Sequence, residues 1–243
     1  MQQLEAQRMI SPQTLGWQEL VKYPTLNAAV LHVASSYDFR YHPYLVWMQE
    51  TATSREAFCQ SQLPFRFAVE SFSQALAAVL ARIPLLETRM TLFENIAEEH
   101  GRGDRKISHK ATFQRYLQAL GATAVELETP CTIPVLAFNA SILSYCLTQP
   151  PEASAAMLGT IEYLYVGISS AIARTLLERN WTLPGSQSHY TTHEILDTQH
   201  AEDLLALAAT SWDVSHSRIL IAQALLLGAY YFWSLYDDLL PRL

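Results

Sequence analysis

The chain has 243 residues, 50% of them hydrophobic and 16% charged, with a net charge of −7. This composition excludes a disordered chain, and the acidic balance without a Lys/Arg cluster excludes a nucleic-acid surface, which needs clustered cations against phosphate. The length suits one domain with a large core. Cys59, Cys131 and Cys146 are too few and too widely spaced for a disulfide framework or a CxxC site, which points to reduced thiols in a cytoplasmic protein. The first residues, Met1 to Pro12, contain Glu5 and Arg8 and lack the apolar stretch of a signal peptide.

Apolar residues recur at helical spacing almost throughout, and no long alternating run suggests a sheet, so the expected fold class is all-α. Helices are expected at 13–22, 26–36, 43–60, 65–82, 85–100, 106–120, 132–147, 152–179, 190–209 and 215–238. Breakers between them include Pro24, Pro64, Pro84, Gly101, Gly121, Pro130, Pro150-Pro151 and Pro184-Gly185. The short gaps predict antiparallel neighbours around one core, with residues 1–243 as a single domain. Two stretches, 155–177 and 219–236, are apolar enough to raise the question of a membrane. Glu162 in the first, and the acidic end Asp237-Asp238 of the second, favour buried bundle helices instead.

Taken in chain order, four segments carry residues that do not suit an apolar core. Glu70 stands in Phe-Ala-Val-Glu-Ser-Phe, and Glu162 is the only acid in the apolar stretch 155–177, so both are expected to be buried, and a buried carboxylate must be paired, protonated or metal-bound. Between them lie Glu94, Glu98, Glu99 and His100, followed by a polar turn and His109; Glu99 is the favoured inward residue, with Glu98 as the alternative. Last comes His193-x3-Asp197-x2-His200. On a helix these three positions span only roughly 60° of the circumference, as two imidazoles and a carboxylate converging on a metal would. Glu70, Glu99, Glu162 and Asp197 bring four negative charges, and His109, His193 and His200 bring three neutral nitrogens. Two divalent cations would neutralise that set inside a low-dielectric bundle, whereas one would leave carboxylates needing protons. The Glu-x-x-His pair of ferritin-like bundles is missing.

With these motifs the chain resembles the haem-oxygenase-like diiron oxidases and oxygenases over roughly residues 70 to 206. The resemblance implies a haem-oxygenase-like helical bundle holding two iron ions on Glu70, Glu99, His109, Glu162, His193, Asp197 and His200, with dioxygen as co-substrate. It implies oxidation of a small amino-acid-derived substrate in specialised metabolism. The first specific expectation is conversion of a tryptophan-like, halogenated or unhalogenated, amino acid to a nitrile, with N-oxygenation or oxidative decarboxylation next. Tyr163 and Tyr190, beside expected ligands, are candidates to move a proton or be oxidised. Arg40, Arg66, Arg82, Arg102 and Arg105 are candidates to hold a substrate carboxylate. Alternatives are a metal-free, thiaminase-like enzyme with Cys131 or Cys146 as nucleophile, and a non-catalytic interaction protein. Expected partners are an aromatic amino acid, an external reductant and a second copy of the chain as a homodimer, with neither nucleic acid nor membrane.

Overall fold

The computed structural model describes residues 15–181 and 188–241, with residues 188 and 191–197 described as helix backbone. In chain order the helices are α1 Trp17–Leu20, α2 Leu26–Ser36, α3 Pro43–Gln49, α4 Arg55–Gln62, α5 Arg66–Leu80 and α6 Leu86–Glu99. They continue with α7 His109–Leu120, α8 Ala124–Leu127, α9 Ile133–Thr148, α10 Pro151–Glu178, α11 Ser188–Ala209 and α12 Ser215–Leu239. Short 3-10 turns occupy Phe39–Tyr41 and Gly101–Gly103, and no strand occurs among the described residues.

α10 is the axis of the bundle. It packs along α11 and α12 and also touches α3, α5 and α9. Its side chains are buried on nearly every face, so Glu162 has nowhere else to go. α12 approaches α10 at Gly228, where an added Cβ would lie 2.4 Å from the Met157 carbonyl oxygen; only glycine allows the two backbones this close. α10 and α12 are long and apolar enough to cross a membrane, but 72% and 50% of their most apolar windows are buried against neighbouring helices. That is the behaviour of core helices.

The helix expected at 43–60 is two helices, α3 and α4, parted at Glu50 to Ser54. Ser54 caps α4 by accepting the Ala57 N–H at 3.0 Å. Arg179, just past α10, donates to the Met48, Glu50, Thr51 and Thr53 carbonyls, satisfying acceptors that a continuous helix would have bonded internally. The propensity pattern runs through this break because its cause is an arginine more than 120 residues away. The small helix α8 was not expected; a capping box between Thr123 and Glu126 creates it.

At the α3 end of the bundle His42 is fully buried. Its Nδ1 accepts the Tyr44 backbone N–H at 3.0 Å and its Nε2 donates to the Trp233 carbonyl at 3.0 Å. The ring stacks on Phe39, with centroids 5.1 Å apart. Burial pushes its pKa down to about 4, against the weaker pull of the Trp233 hydrogen bond. Asp237 lies 3.3 Å from Nε2, but half exposed. A proton on Nδ1 would break the cap on α3, so the neutral ring is the one that fits.

Candidate metal centre

Four helices deliver the donors. Glu162 projects from mid-α10, Glu98 and Glu99 from the last turn of α6, His109 from the first residue of α7, and His200 from α11. Glu99, His109, Glu162 and His200 are between 1% and 7% exposed. His109 Nδ1 is 2.7 Å from Glu99 Oε2. His200 Nε2 is 2.7 Å from Glu98 Oε2, and its Nδ1 faces Glu162 Oε1 at 3.9 Å, too far for a hydrogen bond. Among the described residues Nδ1 has no hydrogen-bond partner.

The turn from α6 to α7 is shaped by Gly101, at φ 64°, whose missing Cβ would lie 2.7 Å from the Ser108 nitrogen. That close approach lets Ser108 cap α7 directly beside the end of α6 and sets His109 against Glu99. Arg102 reaches back to Glu94 at 2.9 Å and Glu98 at 2.7 Å. Burial alone would raise the Glu98 pKa; the hydrogen bonds from His200 and Arg102 outweigh it and hold the carboxyl below the usual range.

One ligand atom each from Glu99, Glu162 and His200 lies within 4.8 Å of the others. Ligand bonds of roughly 2.1 Å to a transition metal put opposite donors about 4.2 Å apart, so a small contraction would close this group on a cation. Two buried carboxylates and an imidazole nitrogen left without a hydrogen bond fit a divalent ion. His193 and Asp197 are on the backbone of α11, and their side chains lie outside the described residues.

Other expected residues sit elsewhere. The expectation that Glu70 is buried is corrected: it is exposed and ion-paired with Lys110. α5 buries a stripe containing Ala68, Leu76 and Val79, and the helical turn sets Glu70 on the opposite side. Glu70 lines the outer rim of the site without joining the Glu99, Glu162 and His200 group. Tyr163 turns away from Glu162 into a groove with Asp38, Arg40 and Glu202. Tyr165, three positions from Glu162 and thus on its face, takes the place beside it instead.

Tyr190 is fully buried and donates to Gln62 Oε1 at 2.6 Å, while Gln62 Nε2 donates to Tyr44 Oη at 2.6 Å. Burial drives the Tyr190 phenol far above its ordinary pKa, so it stays protonated and serves to anchor the start of α11. His189, which was not expected at the site, is 1% exposed; its Nδ1 pairs with Thr112 Oγ1 at 2.9 Å and its ring lies 6.1 Å from that of His109. Its signal was the four-residue step to His193, which extends the same helix face.

A cavity of about 50 Å³ opens beside these donors, lined by Glu99, His109, Glu162 and Tyr165 together with Phe65, Phe72, Phe138 and Phe232. Neither Cys131 nor Cys146 lines it. Burial pushes the Cys146 thiol up to about 12, and burial also raises Cys131. A thiol so shifted is a poor nucleophile.

A family profile described as an iron-containing redox enzyme matches residues 64–231. No curated protein matches the sequence. Among solved structures, a domain of unknown function with a haem-oxygenase-like fold from Shewanella denitrificans OS217 aligns with a TM-score of 0.70 at 13% identity, over 88% of this chain and 90% of that one. A TenA homologue from P. horikoshii OT3 aligns at 0.68 and 13%, over 88% and 98%. A TenA homologue from Pseudomonas syringae pv. tomato DC3000 aligns at 0.69 and 14%, over 93% and 96%. At such identities the likeness is one of fold.

Proposed function

Because the chain belongs to the iron-containing redox enzymes and has the haem-oxygenase-like helical fold, we propose that it is a non-haem diiron enzyme that uses dioxygen to oxidise a small amino-acid-derived substrate. The observation that carries this reading is the buried group of Glu99, Glu162 and His200 opening on an apolar cavity. Iron bound there would supply the reduction of dioxygen, chemistry that no side chain performs alone.

Glu99, Glu162 and His200 would hold one ion, whose charge the two buried carboxylates match. The second would draw on His109, His193 and Asp197. Glu70 would join only after leaving Lys110. Glu98 accepts from His200 Nε2 and so fixes the tautomer that leaves Nδ1 as a lone-pair donor toward Glu162. The four phenylalanines make the cavity's lining mostly apolar, and a low-dielectric surrounding of this kind strengthens charge interactions beside it.

The cavity also bears on the substrate. At about 50 Å³ it receives a slim apolar group, and an indole ring would require side chains to move. Nitrile formation from a tryptophan-like amino acid therefore has no observation in its favour over N-oxygenation or oxidative decarboxylation. The cysteine-nucleophile reading has none either, given where the thiols lie.

The test is anaerobic loading with iron(II), a count of iron per chain, and then oxygen consumption on mixing with air-saturated buffer. Wild type is expected to retain about two irons and consume oxygen, and Glu162→Gln to do neither. Oxygen consumption by Glu162→Gln at the wild-type rate would overturn the proposal.

A further inference from the structure

The five arginines that the sequence offers for holding a substrate carboxylate differ sharply in the structure. Arg40 is paired with Asp38, Arg102 with Glu94 and Glu98, Arg66 with the Leu63 carbonyl and Thr129, and Arg82 with the Cys146 and Gln149 carbonyls. Arg105 is the exception. Among the described residues its guanidinium makes no ion pair or hydrogen bond, and it lines a second cavity, of about 470 Å³, whose inner wall is formed by Glu99 and His109.

This outer chamber and the phenylalanine chamber share Val69, Glu99 and His109, so they adjoin at these three residues. The outer one is polar. Its other cation, Lys110, is taken up by Glu70, which leaves Arg105 as the lining cation without an ion pair among the described residues. Ser108 and Gln74 offer further hydrogen bonds, and Gly103, with open space where a Cβ would stand, keeps the rim wide beside Arg105. A guanidinium with its planar fork unused is suited to a carboxylate, which it binds through two parallel N–H donors.

We infer that Arg105 anchors the carboxylate of the substrate in the outer chamber while a slim apolar body passes Val69, Glu99 and His109 into the phenylalanine chamber. The substrate class is thus a small carboxylic acid with a slim apolar body, as an aliphatic amino acid is. The inference rests on the proposed metal-dependent oxidation for its placement of the reacting carbon next to Glu99, and adds to it what holds the other end. It also makes the anion, and not an aromatic ring, the group chiefly recognised.

The test uses the full chain without metal and three probes of one length: hexanoate, hexan-1-ol and hexylammonium. Dissociation constants come from NMR titration, and iron uptake is measured separately on the same preparations. Wild type is expected to bind hexanoate about tenfold more tightly than hexan-1-ol, with hexylammonium weakest. Arg105→Ala should erase the difference between hexanoate and hexan-1-ol, and Arg105→Lys should restore part of it, all with wild-type iron uptake. Ala68→Leu, which fills the inner chamber, should weaken hexanoate and hexan-1-ol alike and preserve their ratio; its melting temperature checks that it folds. Equal binding of hexanoate and hexan-1-ol by wild type, or unchanged hexanoate binding in Arg105→Ala, overturns the anchor. Iron uptake reports independently on the metal reading, so a chain that selects hexanoate but takes up no iron would keep the anchor and lose the metal.

Discussion

Two buried histidines, His42 and His200, lie in different parts of the bundle with 0% and 1% of their surface exposed. Around His42 each ring nitrogen has a backbone partner, and the ring stacks on Phe39. Around His200 one nitrogen is bonded to Glu98, while the other faces Glu162 at 3.9 Å with no hydrogen bond among the described residues. Burial is the same in both; the difference is an unmade bond surrounded by acids. A polar atom held out of water without a partner costs about 1–3 kcal/mol, so leaving one there needs a return elsewhere, which the cation of the proposed site would supply. The first histidine holds the fold, and the second is held by the fold.

The sharpest way to break this contrast is to remove each ring in turn. His200→Ala is expected to lower iron affinity by at least about 100-fold with little change in the melting of the metal-free protein. His42→Ala should do the reverse, binding iron normally while losing about 3 kcal/mol, from a lost cap and a cavity in the core. Iron titration and thermal melting of both variants check this; iron loss in His42→Ala would erase the distinction.

Acid separates the two regions next. The His42 pKa is depressed to about 4 in the folded chain from an ordinary 6.5, so as pH falls the unfolded chain takes up the proton first. The stability due to neutral His42 is fully present above about pH 7, is lost between pH 6.5 and 4, and levels off below, amounting to about 3 kcal/mol. Urea unfolding across that range should show this loss in wild type and not in His42→Gln.

The α6–α7 turn gives a smaller effect of a mixed kind. Gly101→Ala meets both a positive φ and the Ser108 nitrogen, so it should cost about 2 kcal/mol and weaken iron binding by moving His109 from Glu99. A variant with full iron affinity would show that the turn does not set the site. Smallest is Glu98→Gln, which keeps a hydrogen bond to His200 but relaxes its tautomer; about a tenfold loss of iron affinity is expected by the same titration.

How much of this was legible in the sequence depends on what enforces each position. Glu162 was readable because it sits in the middle of α10, where nearly every face is buried, while the helix's other acids, Glu152 and Glu178, lie at its ends. Glu70 sat in a similar-looking run, yet α5 buries only one stripe, and its neighbours on the page of sequence do not say which stripe. Glu99 and Glu98 divide the labour: Glu99 is buried beside His109, and Glu98, only partly buried, holds His200 Nε2. The all-α fold and most helix limits followed from apolar spacing. The break between α3 and α4 did not, because Arg179 makes it from far along the chain. Nor could spacing distinguish His42 from His200, since the difference lies in which partners the fold supplies to each ring.

The central claim, that Glu99, Glu162 and His200 hold iron, is tested most directly by anomalous diffraction at the iron edge from crystals loaded anaerobically with iron(II). The account predicts an iron peak at roughly 2.0–2.2 Å from His200 Nδ1 and from oxygens of Glu99 and Glu162. Iron bound elsewhere, or a loaded crystal in which these three side chains stay without it, would contradict it.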